Sequence, residues 1–136
     1  MECLFCSIVA GDIPAMKVLE DDHAVAFLDI SPWQAGHTLV VPRRHTVDVL
    51  EDDEVLAEIA PLVARTGRLL RRTLGATACN ILTNAGADAG QEVFHTHVHV
   101  IPRYADSPGV AAIRGTVTEE PSDTHARIVG HQSARG

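Results

Sequence analysis

The run His95-Thr96-His97-Val98-His99-Val100-Ile101, closing in Pro102 and Arg103, constrains this chain more than any other stretch. Three imidazoles alternate with β-branched residues. This period of two predicts a strand with the histidines on one face and Thr96, Val98 and Val100 on the other. Such a strand needs a core behind it and leaves chemistry in front of it. One histidine on a strand is ordinarily a satisfied structural residue, and two can be metal ligands on an ordinary sheet. Three in five residues, where Thr, Lys or Glu would suit an exposed strand better, point to a chemical face.

At 136 residues and 46% hydrophobic, the chain is long enough to bury one core without staples. Eleven basic against 18 acidic residues leave a net charge of −7. That balance excludes general binding to nucleic acid or to an anionic membrane, both of which need a positive field. Any phosphate ligand has to be held locally. The start Met1-Glu2-Cys3 lacks a basic and then apolar leader, and no apolar run approaches the ~18 residues of a membrane span, so a cytoplasmic chain is expected. Three cysteines, two of them as Cys3-x-x-Cys6, fit a reducing compartment. A redox pair normally sits between a strand and a helix, which this N-terminus does not offer, so zinc is the better reading. Two thiolates need two further ligands, which His45 and His95 could supply; buried or idle thiols are the alternative.

Cys3 to Gly11 reads as a short helix stopped by Gly11, with Pro14 beyond it. Met16 to Glu20 and Ala24 to Leu28 read as a hairpin around the polar turn Asp21-Asp22-His23. Thr38-Leu39-Val40-Val41, bounded by Gly36 and Pro42, reads as a central buried strand. From Asp53 to Leu74 apolar residues recur at helical spacing, with acids at the start and Arg71 and Arg72 near the end, and Pro61 is expected to kink or divide this long helix. Cys79 to Asn84 is another strand, and Ala85 to Gly90 a flexible loop leading to the histidine run. Together they predict a pocket in which the amides of Asn84, Gln91 and Val93 hold phosphate oxygens without a basic patch. The loop has no Gly-Lys-Ser/Thr and no helix after it, which excludes a P-loop. From Ala105 onward periodicity is lost, so residues 105–136 are expected to be a C-terminal extension, largely loop or disordered, with His125 and His131 at the surface.

The stretch Ala89 to Arg103 resembles the signature of the histidine triad (HIT) family, His-φ-His-φ-His-φ-φ with φ hydrophobic. The resemblance extends through Glu20-Asp21-Asp22, Ala26 to Pro32, Gly36 to His45 and Asn84, covering the chain from about Cys3 to Arg103. Thr96 departs from the pattern, but it is β-branched and suits a strand. The resemblance implies an α+β, HIT-like fold over residues 1–104: an antiparallel sheet of about five strands with one long and one short helix. It also implies a homodimer formed through the long helix and an edge strand. It assigns Asp29 to the ribose hydroxyls of a purine nucleotide, Phe27 and Ile30 to the base, and His37 to support of the active histidines. In members with the cysteine pair, the positions of Cys3, Cys6, His45 and His95 hold zinc.

By the same resemblance the reaction is attack on a nucleotide α-phosphate. His97 is the nucleophile that forms a covalent nucleotidyl-imidazole, His99 donates to the phosphate, and His95, free or zinc-bound, supports them by fixing their orientation. A dinucleoside polyphosphate is the expected substrate, on the strength of Pro102-Arg103 after the triad. A purine nucleoside phosphoramidate is the alternative with the same chemistry. Two readings of other classes stand beside these: a nucleotide-binding regulator with little turnover, and a purely metal-binding protein using the three histidines with the cysteines.

Overall fold

The central strands are apolar on both faces because each face has its own cover. The computed structural model describes residues 3–107, 109 and 115–135. Its elements are α1 (Leu4–Ala10), β1 (Lys17–Glu20), β2 (Ala24–Leu28), β3 (Thr38–Pro42), α2 (Val55–Leu74), β4 (Ala78–Leu82), β5 (Val98–Arg103) and α3 (Pro121–Arg135). The five strands form one antiparallel sheet in the order β1-β2-β3-β5-β4. The expected α+β architecture is the one observed.

Alternation sorts the side chains. Ala24, Ala26, Val40, Val98 and Val100 pack beneath α2 with Ile59, Leu62, Val63 and Leu70. Val25, Phe27, Leu39 and Val41 face the other way, against Phe5 and Ile8 of α1. His99 pairs with Leu39 and so belongs to the α1 face. Burial on both sides is why β2 and β3 read as continuous apolar runs.

The connections follow local chemistry. Asp21 turns the first hairpin, its Oδ1 accepting the N–H groups of His23 and Ala24 at 2.8 Å each. Gly11 ends α1 in the left-handed conformation at φ 85°. Before α2, Asp52 Oδ1 accepts the N–H groups of Glu54 and Val55, and Arg44 bridges Asp52 and Glu58. Arg44 therefore braces the entry to α2.

Three expectations need correction. Pro61 does not divide the long helix, which is continuous from Val55 to Leu74. Its ring lies on the exposed side, where the carbonyl of Ala57 that loses its N–H partner is open to water. The histidine strand begins later than its period suggests. Pairing with β3 stops at Val40 opposite Val98 and pairing with β4 at Leu82 opposite His99, so His95 to His97 are a lead-in without a ladder. Bonds to its main chain help to hold it: Thr96 N–H donates to the Thr46 carbonyl (2.7 Å) and the Thr83 hydroxyl to the His97 carbonyl (2.7 Å). Finally, the C-terminal extension contains a helix, Pro121–Arg135. Pro121 opens it, Glu119 engages Thr124 and Arg127, and its described side chains are almost all exposed, so no apolar stripe announced it. His125 is exposed, and the His131 side chain lies outside the described residues. Among the described residues no helix is long and apolar enough to cross a membrane.

Gly36 fixes the approach of the β2–β3 loop to the core. Its φ is +96°, and a Cβ there would meet Leu74 Cδ1 at 2.6 Å and Pro102 Cγ at 3.2 Å. Gly36→Ala is therefore expected to destabilise the fold by about 1–3 kcal/mol, read as a lower urea midpoint. An unchanged midpoint would show that the loop yields freely.

Candidate active site and metal centre

A cavity of about 710 Å³ opens on the α1 face of the sheet. Leu4, Phe5, Ile8, Ile13, Met16 and Phe27 make an apolar wall, and His97 and His99 stand at its floor with Asp29, Trp33 and Asn84 around them. Asp29 and Glu92 are the formally charged carboxylates lining it, and no lysine or arginine among the described residues does so.

The tautomers of both histidines follow from their partners. His97 Nδ1 lies 2.8 Å from the His95 carbonyl, which can only accept, so Nδ1 carries the proton and Nε2 keeps a free lone pair. His99 is set by a longer chain of bonds. The Trp33 main-chain N–H donates to His37 Nδ1 (3.0 Å), which puts the His37 proton on Nε2; that N–H donates to His99 Nδ1 (2.9 Å) and leaves the His99 proton on Nε2. One imidazole offers a lone pair and its neighbour a proton. Burial lowers the pKa of His37 and of His97 below the ordinary histidine value. Burial, followed by the charges of His97 and His37, brings His99 to about 4. All three are neutral at pH 7, as this bonding pattern requires.

The other expected residues divide. Asp29 lines the cavity; its Oδ1 accepts the Ser31 N–H (2.8 Å) and its Oδ2 lies 3.6 Å from His37 Nε2. Phe27 lines the cavity from within the core, 3% exposed and edge-on to Phe5, whereas Ile30 stands at the rim, 87% exposed. Asn84 and Val93 reach the cavity. Gln91 does not. It is buried with its amide fully engaged, accepting from Gly86 N–H (2.8 Å) and donating to the carbonyls of Val47 (2.7 Å) and Val93 (3.1 Å), so it braces the loop. Pro102 and Arg103 lie at the far end of β5, paired with Cys79 and Ala78, and do not line the cavity.

Two residues escaped the sequence. Phe5, between the two cysteines, packs edge-on to the rings of both His95 and His97. Trp33 stacks on His99. Phe5 could have been found as the inward residue of a short amphipathic helix; Trp33, in a loop, carried no periodic signal.

The cysteine pair is placed by the start of α1. Cys3 takes the N-cap position, where its Sγ accepts the Cys6 N–H (3.3 Å). His95 is completely buried, its Nε2–H donating to the Pro42 carbonyl (3.0 Å), so its Nδ1 lone pair is turned toward the sulfurs. That atom lies 3.3 Å from Cys3 Sγ, 3.4 Å from Cys6 Sγ and 3.1 Å from His45 Nδ1. Donors bound to a tetrahedral ion at ~2.3 Å for sulfur and ~2.0 Å for nitrogen stand about 3.3 Å apart for two nitrogens, about 3.5 Å for nitrogen and sulfur and about 3.8 Å for two sulfurs. The four residues therefore fit such an ion. Burial, with Cys3 beside it, pushes the Cys6 thiol up to about 11, a proton that a cation would displace. A second cluster, Asp29, His37 and His99, lacks this fit because the Trp33 N–H occupies His37 Nδ1 and so keeps the His37 proton on Nε2, the nitrogen that faces His99.

A family model described as HIT domain matches residues 10–106. The chain belongs to the histidine triad family. A solved HIT-family structure from Bacillus subtilis is 41% identical, with a TM-score of 0.85 and coverage of 100% of this chain and 98% of its own. A Zn-bound histidine triad family protein from Mycobacterium smegmatis is 36% identical, with a TM-score of 0.74 and coverage of 98% of each chain. Adenosine 5'-monophosphoramidase of Schizosaccharomyces pombe is 41% identical over 111 residues, 81% of this chain and 80% of its own length.

Proposed function

We propose that this chain hydrolyses nucleotides at the α-phosphorus through a covalent nucleotidyl-histidine. The observation that carries the reading is the opposed pair of tautomers, a lone pair on His97 Nε2 beside a proton on His99 Nε2 at the floor of one cavity. His97 Nε2 forms a bond to phosphorus, and the leaving group departs with the electron pair of its bond and takes a proton from water. His99 Nε2–H donates to a phosphoryl oxygen. The imidazole gains positive charge as it is nucleotidylated, which strengthens the bond from its Nδ1–H to the His95 carbonyl. Water then attacks phosphorus, the P–N bond breaks with its electrons returning to Nε2, and a nucleoside monophosphate is released.

The purine lies against the apolar wall, and the ribose against Asp29. We place nucleoside phosphoramidates first and dinucleoside polyphosphates second. Pro102 and Arg103 do not line the cavity, no lysine or arginine among the described residues lines it to receive a polyphosphate leaving group, and a relative is an adenosine 5'-monophosphoramidase. The expected kcat/KM for adenosine 5'-phosphoramidate exceeds that for diadenosine triphosphate by about tenfold or more, a difference of about 1.4 kcal/mol. The reverse order would restore the polyphosphate reading, and no adenosine monophosphate from either would leave a binding protein.

Asp29 gives a separate test. Asp29→Ala is expected to weaken ribonucleotide binding by about 1.5–3 kcal/mol, the range for hydrogen bonds to a charged group, and to weaken deoxyribonucleotide binding less. Equal losses would make Asp29 only a brace for Ser31.

Two further parts belong to the same reading. Zinc held by Cys3, Cys6, His45 and His95 would be closed to substrate and would act as scaffold. A cytoplasmic homodimer would pair the outer strand β4, where Ile81 is turned out beside a shallow groove shared with Gly67 and Arg71 of α2.

A further inference from the structure

The loop between β2 and β3 crosses the open side of His99. Asp29 N–H donates to the His37 carbonyl (2.9 Å) and His37 N–H to the Gln34 carbonyl (3.1 Å), closing the loop on itself. From behind, Gln34 Nε2 donates to Ser107 Oγ (2.7 Å) and the Tyr104 hydroxyl to the Ala35 carbonyl (2.7 Å). On this tethered loop Trp33 presents its indole to two histidines at once. It stacks on His99 with the rings 16° from parallel and centroids 5.8 Å apart, and meets His37 at 65° and 5.4 Å. A tryptophan left 57% exposed on a loop gains little from the core. The aromatic rings it touches are these two imidazoles, and His99 uses its own Nδ1 to reach His37 from beneath the indole.

We infer that Trp33 is a positioning residue for His99, its stacked indole holding the imidazole in the plane from which Nε2–H faces the phosphoryl oxygen. The inference rests on the nucleotidyl-transfer reading for its kinetic consequence but not for its structural one. Three restraints act on the His99 ring: the strand that carries it, the bond from His37 Nε2–H to Nδ1, and the stack. The first two leave rotation about the axis through that bond. A flat partner on the ring face removes it, because tilting the imidazole breaks the stack. The hydrogen bond from His99 Nε2–H strengthens as the transition state places more charge on the phosphoryl oxygen, so loosening the ring slows the chemical step more than it weakens binding at the apolar wall.

The test compares the full-length wild type with Trp33→Ala and Trp33→Phe. Nitrogen-15 NMR of the imidazoles without ligand should show a single His99 tautomer protonated at Nε2 in the wild type and in Trp33→Phe, and a mixed, exchange-broadened signal in Trp33→Ala. With adenosine 5'-phosphoramidate, kcat should fall about tenfold in Trp33→Ala, KM should stay within about twofold, and Trp33→Phe should recover most of the loss. Melting temperatures should stay close, since the removed side chain is largely exposed. An unchanged His99 signal in Trp33→Ala overturns the inference, as does a raised KM with kcat intact, which would make Trp33 a ligand contact. A wild type that turns over no nucleotide overturns the proposed function instead, and the NMR comparison still decides for or against Trp33.

Discussion

His97→Ala is expected to lower kcat on the order of 10³-fold or more while the nucleotide dissociation constant changes by no more than about threefold. The asymmetry follows from where His97 acts. Its Nδ1–H is bound to the His95 carbonyl, which leaves Nε2 for the cavity, so in the proposed mechanism its contribution is the bond it makes to phosphorus. On the proposed reading ground-state affinity comes from the apolar wall and Asp29, which the substitution does not touch. Single-turnover release of nucleoside monophosphate and calorimetric titration with the product read the two quantities separately. In the wild type, mass spectrometry under alkaline conditions, where an acid-sensitive phosphorus–nitrogen bond survives, should place a nucleotidyl group on His97. An adduct on His99 would exchange the roles of the two residues, and a parallel loss of affinity and turnover would reduce His97 to a binding group.

The second large effect is expected from the metal. Protein purified without added metal should contain close to one zinc per chain, and chelation or the double substitution Cys3→Ser, Cys6→Ser should lower Tm on the order of 10 °C. A ligand bound about 1,000-fold above its dissociation constant contributes about 4 kcal/mol, and each kcal/mol is a few degrees in a domain of this size. The four donors join α1 to the lead-in of β5, so losing the ion frees the segment that carries Phe5 and Ile8. Activity at low temperature should fall less than stability, because Nε2 of His97 is outside the cluster. A metal-free preparation with an unchanged Tm would mean that the cysteines are idle and that the Pro42 carbonyl alone orients His95.

The regular elements that could be read from the chain were those whose burial leaves a period. Ala24 to Leu28 and Leu39 to Val41 are apolar at every position because α1 and α2 cover both faces, and Gly11 marks the end of α1 by its left-handed turn. The triad was legible from spacing, and the Cys3–Cys6 pair from its position at a helix start. What could not be read depends on partners distant in sequence. The lead-in of β5 is irregular because pairing ends at Val40 opposite Val98 although β3 itself runs on to Pro42, a residue with no N–H to give a ladder. Gln91 resembles a free donor until Val47 and Gly86 fold against its amide. Which nitrogen of His97 carries the proton depends on the His95 carbonyl, and that of His99 on a tryptophan 66 positions earlier in the chain.

A cavity that holds an anion among neutral imidazoles and two carboxylates also sets how ligands arrive. Most phosphate sites draw their ligands in with a positive field, so added salt slows capture. Here the chain carries −7 and the lining contributes no lysine or arginine among the described residues, so the field felt by an approaching nucleotide is repulsive. Raising ionic strength shortens the reach of that repulsion to a few ångströms while leaving the contact hydrogen bonds nearly untouched. Association should therefore quicken with salt, dissociation should stay constant, and the protein should bind its anionic ligand more tightly in concentrated electrolyte than in dilute.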